Sequence, residues 1–210
     1  MNHSIAPSGT SPHITTISRA LEEGTTLNGV FGAKVGAGVY LAHFGRQLRT
    51  LPQFADATLS QDAILSALFP DFKCIGLTRR NKVRQAASWW KAVQSNVWVQ
   101  PTTEAPYPAP PLRYHCAASD QLVNESVMRE AAWAEYCAAW QITPLTIVYA
   151  DFIEDYAGTV AQMLRSLEVS DPYVLDETTI TLAKQADSLS EAWVQQYREE
   201  KQQHWPNRAW

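Results

Sequence analysis

Residues 72–96 read FKCIGLTRRNKVRQAASWWKAVQSN, and this stretch decides the fold. Its short apolar run ends at Thr78 and predicts a short buried strand. Asn81 is a residue type that caps helix N-termini, and the apolar side chains after it recur at helical spacing. We therefore expect a long helix from Asn81 to about Asn96, directly behind the strand.

The rest of the chain alternates in the same way. Leu145–Tyr149 is rich in β-branched residues and predicts a second strand. Helical spacing predicts further helices over residues 62–68, 122–140 and 158–167, and around Trp193 and Tyr197. Nearer the start, we expect a helix over residues 14–24 and a short β-type run over residues 28–40. Helices that alternate with strands indicate an α/β domain with a mostly parallel sheet flanked by helices.

The composition limits the class of protein. The 210 residues carry a net charge of −4, and 46% hydrophobic with 18% charged residues exclude a disordered chain. Three cysteines lie far apart, which argues against a disulfide framework or a structural zinc and favours a reducing, cytoplasmic location. Five scattered histidines predict no metal site. There is no apolar run of about 20 residues and no leader-like N-terminus, so we expect neither a membrane span nor a secretory signal.

A single domain is expected over residues 13–204. Residues 1–12 are polar and rich in Ser and Pro, which predicts a flexible N-terminal arm. Five of the twelve prolines fall within residues 101–111, so we expect a Pro-rich loop at residues 100–112. Residues 205–210 are interpreted as a tail.

Positive charge gathers around the deciding stretch. Six of the 17 Lys and Arg residues lie between Phe72 and Thr103, where there is no Asp or Glu. Arg79 and Arg80 fall where the predicted strand ends and the helix begins, a place that favours phosphate ligands in α/β sheets. An anion site and a merely solvated basic helix face are both open at this point. The acidic net charge of −4 and the lack of a nucleic-acid motif argue against a nucleic-acid partner.

The segment Leu77–Trp98 resembles the central segment of the trehalose 2-sulfotransferase family of carbohydrate sulfotransferases. Three more stretches resemble that family in the same order: a Gly-aromatic-Gly-x-Lys segment, a late strand with its following helix, and a C-terminal signature, at residues 28–34, 140–169 and 184–198. The resemblance covers residues 14–200. Four matching stretches in order are a specific signal, whereas each one alone is weak.

This resemblance implies a fold and a reaction. The family has a P-loop-type α/β fold and takes a sulfuryl group from 3′-phosphoadenosine 5′-phosphosulfate (PAPS). It delivers the group to a hydroxyl, often on a sugar. The resemblance therefore implies a PAPS-dependent sulfotransferase that uses PAPS as co-substrate without a metal and acts on a small carbohydrate-type acceptor. It implies no membrane partner, allows a homodimer, and does not identify the acceptor.

The resemblance also assigns residues. In sulfotransferases, an Arg that ends this strand and a Ser on the following helix hold the donor's 3′-phosphate, and these positions fall on Arg79, with Arg80 as a close competitor, and on Ser88. Lys184 matches a cation of the C-terminal signature. Lys34 matches a strand-end catalytic Lys that stabilises charge on the leaving phosphate oxygen. The alternatives are an ordinary packed helix residue for Ser88 and an exposed strand residue for Lys34.

The N-terminal region departs from the family pattern. The family begins with a strand and an Arg-Ser-Gly-Ser-Thr type loop that holds the 5′-phosphosulfate, and its general base follows. Residues 6–11, Ala-Pro-Ser-Gly-Thr-Ser, resemble the loop only faintly and contain no Lys or Arg. We expect the first strand and this loop to be missing, which leaves enzyme activity open. The alternative function is a truncated, non-catalytic relative that binds adenosine 3′,5′-bisphosphate weakly or serves only as an interaction module.

Overall fold

The computed structural model describes residues 19–20, 22–27, 29–36, 39–49, 51–54, 58–99, 110–169 and 187–209. These residues fall into two compact units, one within residues 1–72 and the other within residues 73–210. The single domain over residues 13–204 stays a prediction. The predicted arm at residues 1–12 lies outside the described residues, as does most of the Pro-rich loop.

The first unit holds two helices, α1 (Val39–Arg49) and α2 (Gln61–Leu68), with a short 3₁₀ turn at Pro52–Phe54 between them. Ser60 caps α2, because its hydroxyl oxygen accepts from the Ala63 backbone N–H at 3.4 Å. The predicted helix over residues 62–68 is thus confirmed. The core of this unit is aliphatic and consists of Leu48, Leu51, Ile64 and Leu65.

The β-type run expected over residues 28–40 is wrong for the described part of that stretch. Phe31 makes one isolated antiparallel bridge with Thr25, residues 32–36 have no regular secondary structure, and α1 already begins at Val39. Glycines interrupt this run and contribute no side chain that could pack on a sheet. The backbone from Val39 to Arg49 forms a helix instead.

The second unit contains the parallel sheet. Strands β1 (Ile75–Thr78) and β2 (Leu145–Val148) pair in register from Ile75 with Leu145 to Thr78 with Val148. Two helices, α3 (Lys82–Ser95) and α4 (Cys116–Ala139), connect them, and α5 (Tyr149–Glu154), α6 (Tyr156–Ser166) and α7 (Ser188–Gln202) follow β2. The parallel α/β arrangement with flanking helices is confirmed, with two strands in the described part of the chain.

Helix α3 begins and ends where the sequence predicts. The Arg84 backbone N–H donates to the Asn81 side-chain oxygen at 2.9 Å, and Asn96 ends the helix in the left-handed conformation with φ of 55°. Asn tolerates that conformation better than most residues. The end predicted for α4 near residue 140 is also confirmed, since the helix ends at Ala139, whereas its start lies earlier than expected, at a cap formed by the His115 imidazole.

The core of the second unit joins α3 to α7. Val83 and Ala87 on α3 pack with Trp193, Val194 and Tyr197 on α7, and all five are at most 5% exposed. The helix predicted around Trp193 and Tyr197 is therefore confirmed as a buried element. This packing of α7 holds α3 in place, and α3 is the helix that follows β1 in the chain.

Strand β1 is not buried as expected. Its Gly76 faces α4, where the Trp133 indole nitrogen lies 3.2 Å from the position that a Cβ on Gly76 would take. Leu77 points to the opposite face and is 69% exposed. The apolar run predicted the strand correctly, but burial depends on what covers each face of the sheet. None of the helices described is long and apolar enough to cross a membrane.

Candidate anion-binding site

The ends of the two paired strands bring four side chains together. Thr78 pairs with Val148, so the residues after each strand lie side by side at one edge of the sheet. The Arg79 guanidinium carbon lies 4.0 Å from the centroid of the Tyr149 ring. Arg80 donates through Nη2 to both carboxylate oxygens of Asp151, at 2.7 and 2.5 Å. The two neighbouring arginines therefore meet different partners across the same strand end.

These partners give the two arginines different electrostatic states. The hydrogen bond and the charge of Asp151 raise the pKa of Arg80, whose positive charge is compensated by that carboxylate. Tyr149 attracts the Arg79 cation through its ring face but does not neutralise it. Within the described residues, no carboxylate forms an ion pair with Arg79. Arg79 thus keeps its full positive charge at the strand ends.

The backbone that carries Arg79 is held by Lys82. The Lys82 ammonium donates to the Arg79 carbonyl oxygen and, at 3.3 Å, to the Thr78 hydroxyl, and it forms an ion pair with Glu130 of α4. The Thr78 hydroxyl donates to the same Glu130 carboxylate. The Lys82 side chain is 18% exposed and that of Glu130 is 42% exposed, so the ammonium end of this network is better shielded from water than the carboxylate end. The network ties the turn between β1 and α3 to the middle of α4.

The six basic residues between Phe72 and Thr103 are here called the basic window, and carboxylates that are distant in the chain pair with most of them. Lys73 pairs with Glu168, Arg84 with Glu191 and Lys91 with Asp187, in addition to the Arg80 and Lys82 pairs above. Five of its six basic residues therefore have a carboxylate partner, and in the described part of the chain Arg79 is the member without one. In the described residues, most of the basic window is therefore paired within the chain, and an anion site at Arg79 stays a prediction.

Ser88 lies on the face of α3 that meets the start of α7. It sits one turn after Arg84 and three residues before Lys91, so the three share one side of the helix. Arg84 contacts Glu191 at 2.5 Å and Lys91 contacts Asp187 at 2.7 Å, both at the N-terminal end of α7. Ser88 is half-buried, and its hydroxyl has no hydrogen-bond partner among the residues that the structure describes.

The remaining predicted site residues are placed differently. Lys34 belongs to the first unit, where it is exposed in the irregular segment of residues 32–36 rather than on a strand. Lys184 lies outside the described residues, three positions before the N-cap of α7. No direct contact joins Arg79 to Ser88 in the described part of the chain. Arg79 and Arg80 are thus the predicted residues that the structure brings together.

The start of α7 is anchored by a strongly acidic carboxylate. Burial alone favours the neutral form of Asp187, but hydrogen bonds from Lys91 and from the Ser190 backbone and hydroxyl lower its pKa to about 2. Asp187 also caps the helix, because the Ser190 N–H donates to it at 2.9 Å. This ionised cap fixes the N-terminus of α7 against the face of α3 that carries Ser88.

Several residues of the strand-end site were not predicted. Tyr149 and Asp151 are the first and third residues after β2, as Arg79 and Arg80 are the first and second after β1. That parallel placement is a signal that the sequence contained, since parallel strands end at the same edge of a sheet. Glu130 lies in the middle of α4, and no local pattern marks it as a partner of Lys82. The part of the chain covered by the structure has no cluster of three or more His, Cys, Asp or Glu side chains that could hold a metal.

Comparison with known proteins identifies the family. A family model described as Stf0 sulphotransferase matches residues 3–200. The chain is 28% identical over 181 residues, 85% of its own length, to the trehalose 2-sulfotransferase of Mycolicibacterium smegmatis. It is also 28% identical over 178 residues, 84% of its length, to the trehalose 2-sulfotransferase of Mycobacterium tuberculosis. The chain spans 64% of the length of each of these relatives. The resemblance inferred from the sequence is confirmed, and the chain belongs to the Stf0 sulphotransferase family.

Proposed function

We propose that this protein is a PAPS-dependent sulfotransferase that transfers a sulfuryl group to a hydroxyl of a small carbohydrate acceptor. The observation that carries the proposal is the uncompensated Arg79 cation at the strand ends of a chain from this family. The relatives named as trehalose 2-sulfotransferases make a disaccharide the first acceptor to test. A P-loop-type fold around the parallel strands is part of the same proposal.

Arg79 is the better candidate than Arg80 for the donor's 3′-phosphate. Its guanidinium offers N–H donors that match phosphate oxygens, and no carboxylate in the described part of the chain competes for them. If Arg80 bound the phosphate, it would have to leave Asp151 or bring that carboxylate close to a second anion. Like charges held together in this way disfavour binding. The competition between the two arginines is therefore resolved in favour of Arg79 in this proposal.

Ser88 supplies the second contact to the 3′-phosphate. Its half-buried hydroxyl has no partner within the described residues, so it is available to donate to a phosphate oxygen. The face of α3 that carries Ser88 meets the N-cap of α7, and Lys184 lies three residues before that cap. Lys184 is proposed as a third cation for the same phosphate, because it matches a cation of the family's C-terminal signature. The contacts of Arg84 and Lys91 with α7 hold α3 and α7 together on either side of Ser88 along α3.

The transfer is an in-line displacement at sulfur. The acceptor oxygen forms a bond to sulfur while the bond between sulfur and the bridging phosphate oxygen breaks, and adenosine 3′,5′-bisphosphate leaves. The hydroxyl proton goes to a base, for which no residue is assigned. Lys34 is proposed to stabilise the charge that develops on the leaving phosphate oxygen. Positioning and charge stabilisation then contribute most of the rate. A homodimer and a cytoplasmic location stay predictions.

Two measurements test this function. Calorimetric titration compares adenosine 3′,5′-bisphosphate with adenosine 5′-phosphate, which lacks the 3′-phosphate, and we expect clear preference for the bisphosphate. Transfer of labelled sulfate from PAPS to trehalose and a panel of other disaccharides then tests the reaction. Lys34→Ala should lower the transfer rate by a larger factor than it lowers bisphosphate affinity, because the charge that Lys34 is proposed to stabilise develops fully only as the bond to sulfur breaks.

The outcomes separate the proposals. Equal affinity for the two nucleotides contradicts a 3′-phosphate site at Arg79 and Ser88. Bisphosphate binding without transfer to any acceptor supports the non-catalytic alternative instead. A Lys34→Ala variant that transfers sulfate at the wild-type rate removes the proposed role of Lys34 but not that of Arg79.

A further inference from the structure

Tyr149 occupies a distinctive position at the strand ends. It is the first residue after β2, as Arg79 is the first residue after β1, and its ring centroid lies 4.0 Å from the Arg79 guanidinium carbon. A second arginine–aromatic contact in the described residues, Arg129 over Trp89, is longer, at 4.8 Å, and Arg129 also pairs with Glu125. Among the described residues, the Arg79 contact therefore differs from the Arg129 contact, because its cation lies on an aromatic ring without a carboxylate partner.

The Arg79 guanidinium carbon lies over the Tyr149 ring, 4.0 Å from its centroid, which is the geometry of a cation–π contact. The N–H donors of a guanidinium lie in its plane, so a ring that contacts the face leaves these donors available to a ligand. A carboxylate partner would occupy the same donors and would cancel the charge. Asp151, two residues beyond Tyr149, does this for Arg80. The end of β2 therefore carries Asp151, which neutralises the charge of Arg80, and Tyr149, which contacts Arg79 without neutralising it.

Orientation matters because an arginine side chain has many rotamers. Fixing a free arginine on a ligand costs side-chain entropy. A guanidinium that already lies against a ring has lost part of that freedom before the ligand arrives, which strengthens binding. Lys82 adds to this effect by holding the Arg79 carbonyl oxygen, so both the backbone and the side chain of Arg79 are restrained.

We propose that Tyr149 is a positioning residue that orients the Arg79 guanidinium toward the donor's phosphate without neutralising it. The proposal rests on the proposed function, because it needs the nucleotide to bind at Arg79. It assigns to the aromatic ring, and not to the tyrosine hydroxyl, the contribution to nucleotide affinity. It also predicts that Tyr149 acts only through Arg79.

The test compares two substitutions of the same residue in the full chain. Tyr149→Leu keeps an apolar side chain but removes the ring, and we expect affinity for adenosine 3′,5′-bisphosphate to fall about 3- to 10-fold, the range of a cation–π contact at a partly exposed site. Tyr149→Phe keeps the ring and should bind within about twofold of wild type, since a change that small is less than 0.5 kcal/mol. Calorimetry measures both affinities on protein shown to be folded by circular dichroism.

A double-mutant cycle separates positioning from a general structural role. In an Arg79→Ala background, Tyr149→Leu should cause no additional loss of affinity, because the residue through which it acts is gone. Tyr156→Leu is the matched control: Tyr156 is a half-buried tyrosine whose ring contacts Phe152 at 4.8 Å instead of a cation. That variant should lose stability but keep its nucleotide affinity.

Three results overturn the inference. Wild-type affinity in Tyr149→Leu shows that the ring does not orient Arg79. An equal loss from Tyr149→Leu in the Arg79→Ala background shows that Tyr149 acts by another route. If the wild-type protein does not bind the bisphosphate at all, both the inference and the proposed function fail, whereas binding that needs Arg79 but not the ring overturns the positioning role alone.

Discussion

Basic residues have different partners at the strand ends and at the interface between α3 and α7. At the interface, Arg84 and Lys91 each pair with a carboxylate of α7, next to a core that is at most 5% exposed. At the strand ends, Arg79 lies on an aromatic ring and, in the described part of the chain, has no carboxylate partner. One region satisfies its charges within the chain, whereas the other, in the described residues, leaves one arginine without a carboxylate partner, which we propose binds the donor's phosphate.

This difference shows why a count of basic residues does not locate a binding site. Paired surface charges hold two helices in register and contribute little energy each. A cation that is restrained but not neutralised has donors left for an incoming anion. The informative feature of the basic window is therefore the partner of each cation and not the number of cations. The following predictions break or sharpen this comparison, beginning with the largest expected effect.

Removing the core of the interface should have the largest effect. Trp193 is 5% exposed and packs between α7 and α3, so Trp193→Ala should lower the free energy of unfolding by about 3–5 kcal/mol. Urea denaturation followed by circular dichroism measures the change. Trp98→Ala is the matched control, because Trp98 is 57% exposed, and it should change stability by less than about 0.5 kcal/mol. Equal effects from the two variants would contradict the assigned core.

Removing the uncompensated cation should have the largest effect on binding. Arg79→Ala should weaken adenosine 3′,5′-bisphosphate binding by about 1.5–3 kcal/mol, or about 10- to 150-fold, because a charge-assisted hydrogen bond is lost. Arg80→Ala is the neighbouring control and should change affinity by less than about threefold, since Asp151 already occupies Arg80. Calorimetric titration gives both values. A larger loss from Arg80→Ala would reverse the assignment.

Removing the proposed second phosphate contact should have a smaller effect. Ser88→Ala deletes one neutral donor and should cost about 0.5–1.5 kcal/mol of bisphosphate binding. The control is Ser95→Ala on the same helix, because the Ser95 hydroxyl already donates to the Lys91 carbonyl oxygen at 2.9 Å. Its affinity should match that of wild type. An unchanged dissociation constant in Ser88→Ala would return Ser88 to the role of an ordinary helix residue.

Neutralising the carboxylate at the start of α7 should have the smallest effect and a defined pH dependence. The folded-state pKa of Asp187 is about 2, below its ordinary 3.8, so the ionised group stabilises the fold above pH 4 and this contribution is lost as the pH falls from 4 to 2. Because the side chain is 45% exposed, solvent screening limits the contribution to less than about 1 kcal/mol.

The substitution that tests this contribution is Asp187→Asn, since Asn is also a good N-cap and the change isolates the charge. Thermal unfolding at several pH values should show a smaller loss of stability between pH 4 and pH 2 in this variant than in wild type. Glu199→Gln, which changes an exposed carboxylate of the same helix, serves as control. If Asp187→Asn and wild type lose stability in parallel, the low pKa of Asp187 is refuted.

Local signals predicted the elements around the site more reliably than those near the N-terminus. Asn81 and the apolar period after it were sufficient to place α3 at Lys82–Ser95, because capping and helical spacing are properties of nearby residues. The β-type run expected over residues 28–40 was wrong, since a strand needs a partner and glycines offer little to pack against one. The exposure of Leu77 likewise depends on the layers around β1 and not on its own sequence.

The sequence by itself determined the family, the α/β alternation and the position of two arginines at a strand end, because these follow from residue type and spacing along the chain. Only the tertiary structure decided which of the two arginines has a carboxylate partner. Tyr149 and Asp151 lie about 70 residues beyond Arg79 and Arg80, and parallel pairing of the two strands brings them to the same edge. The partner of a charge is set by distance in space. In this fold, carboxylates that are distant in the chain pair with five of the six basic residues of the basic window.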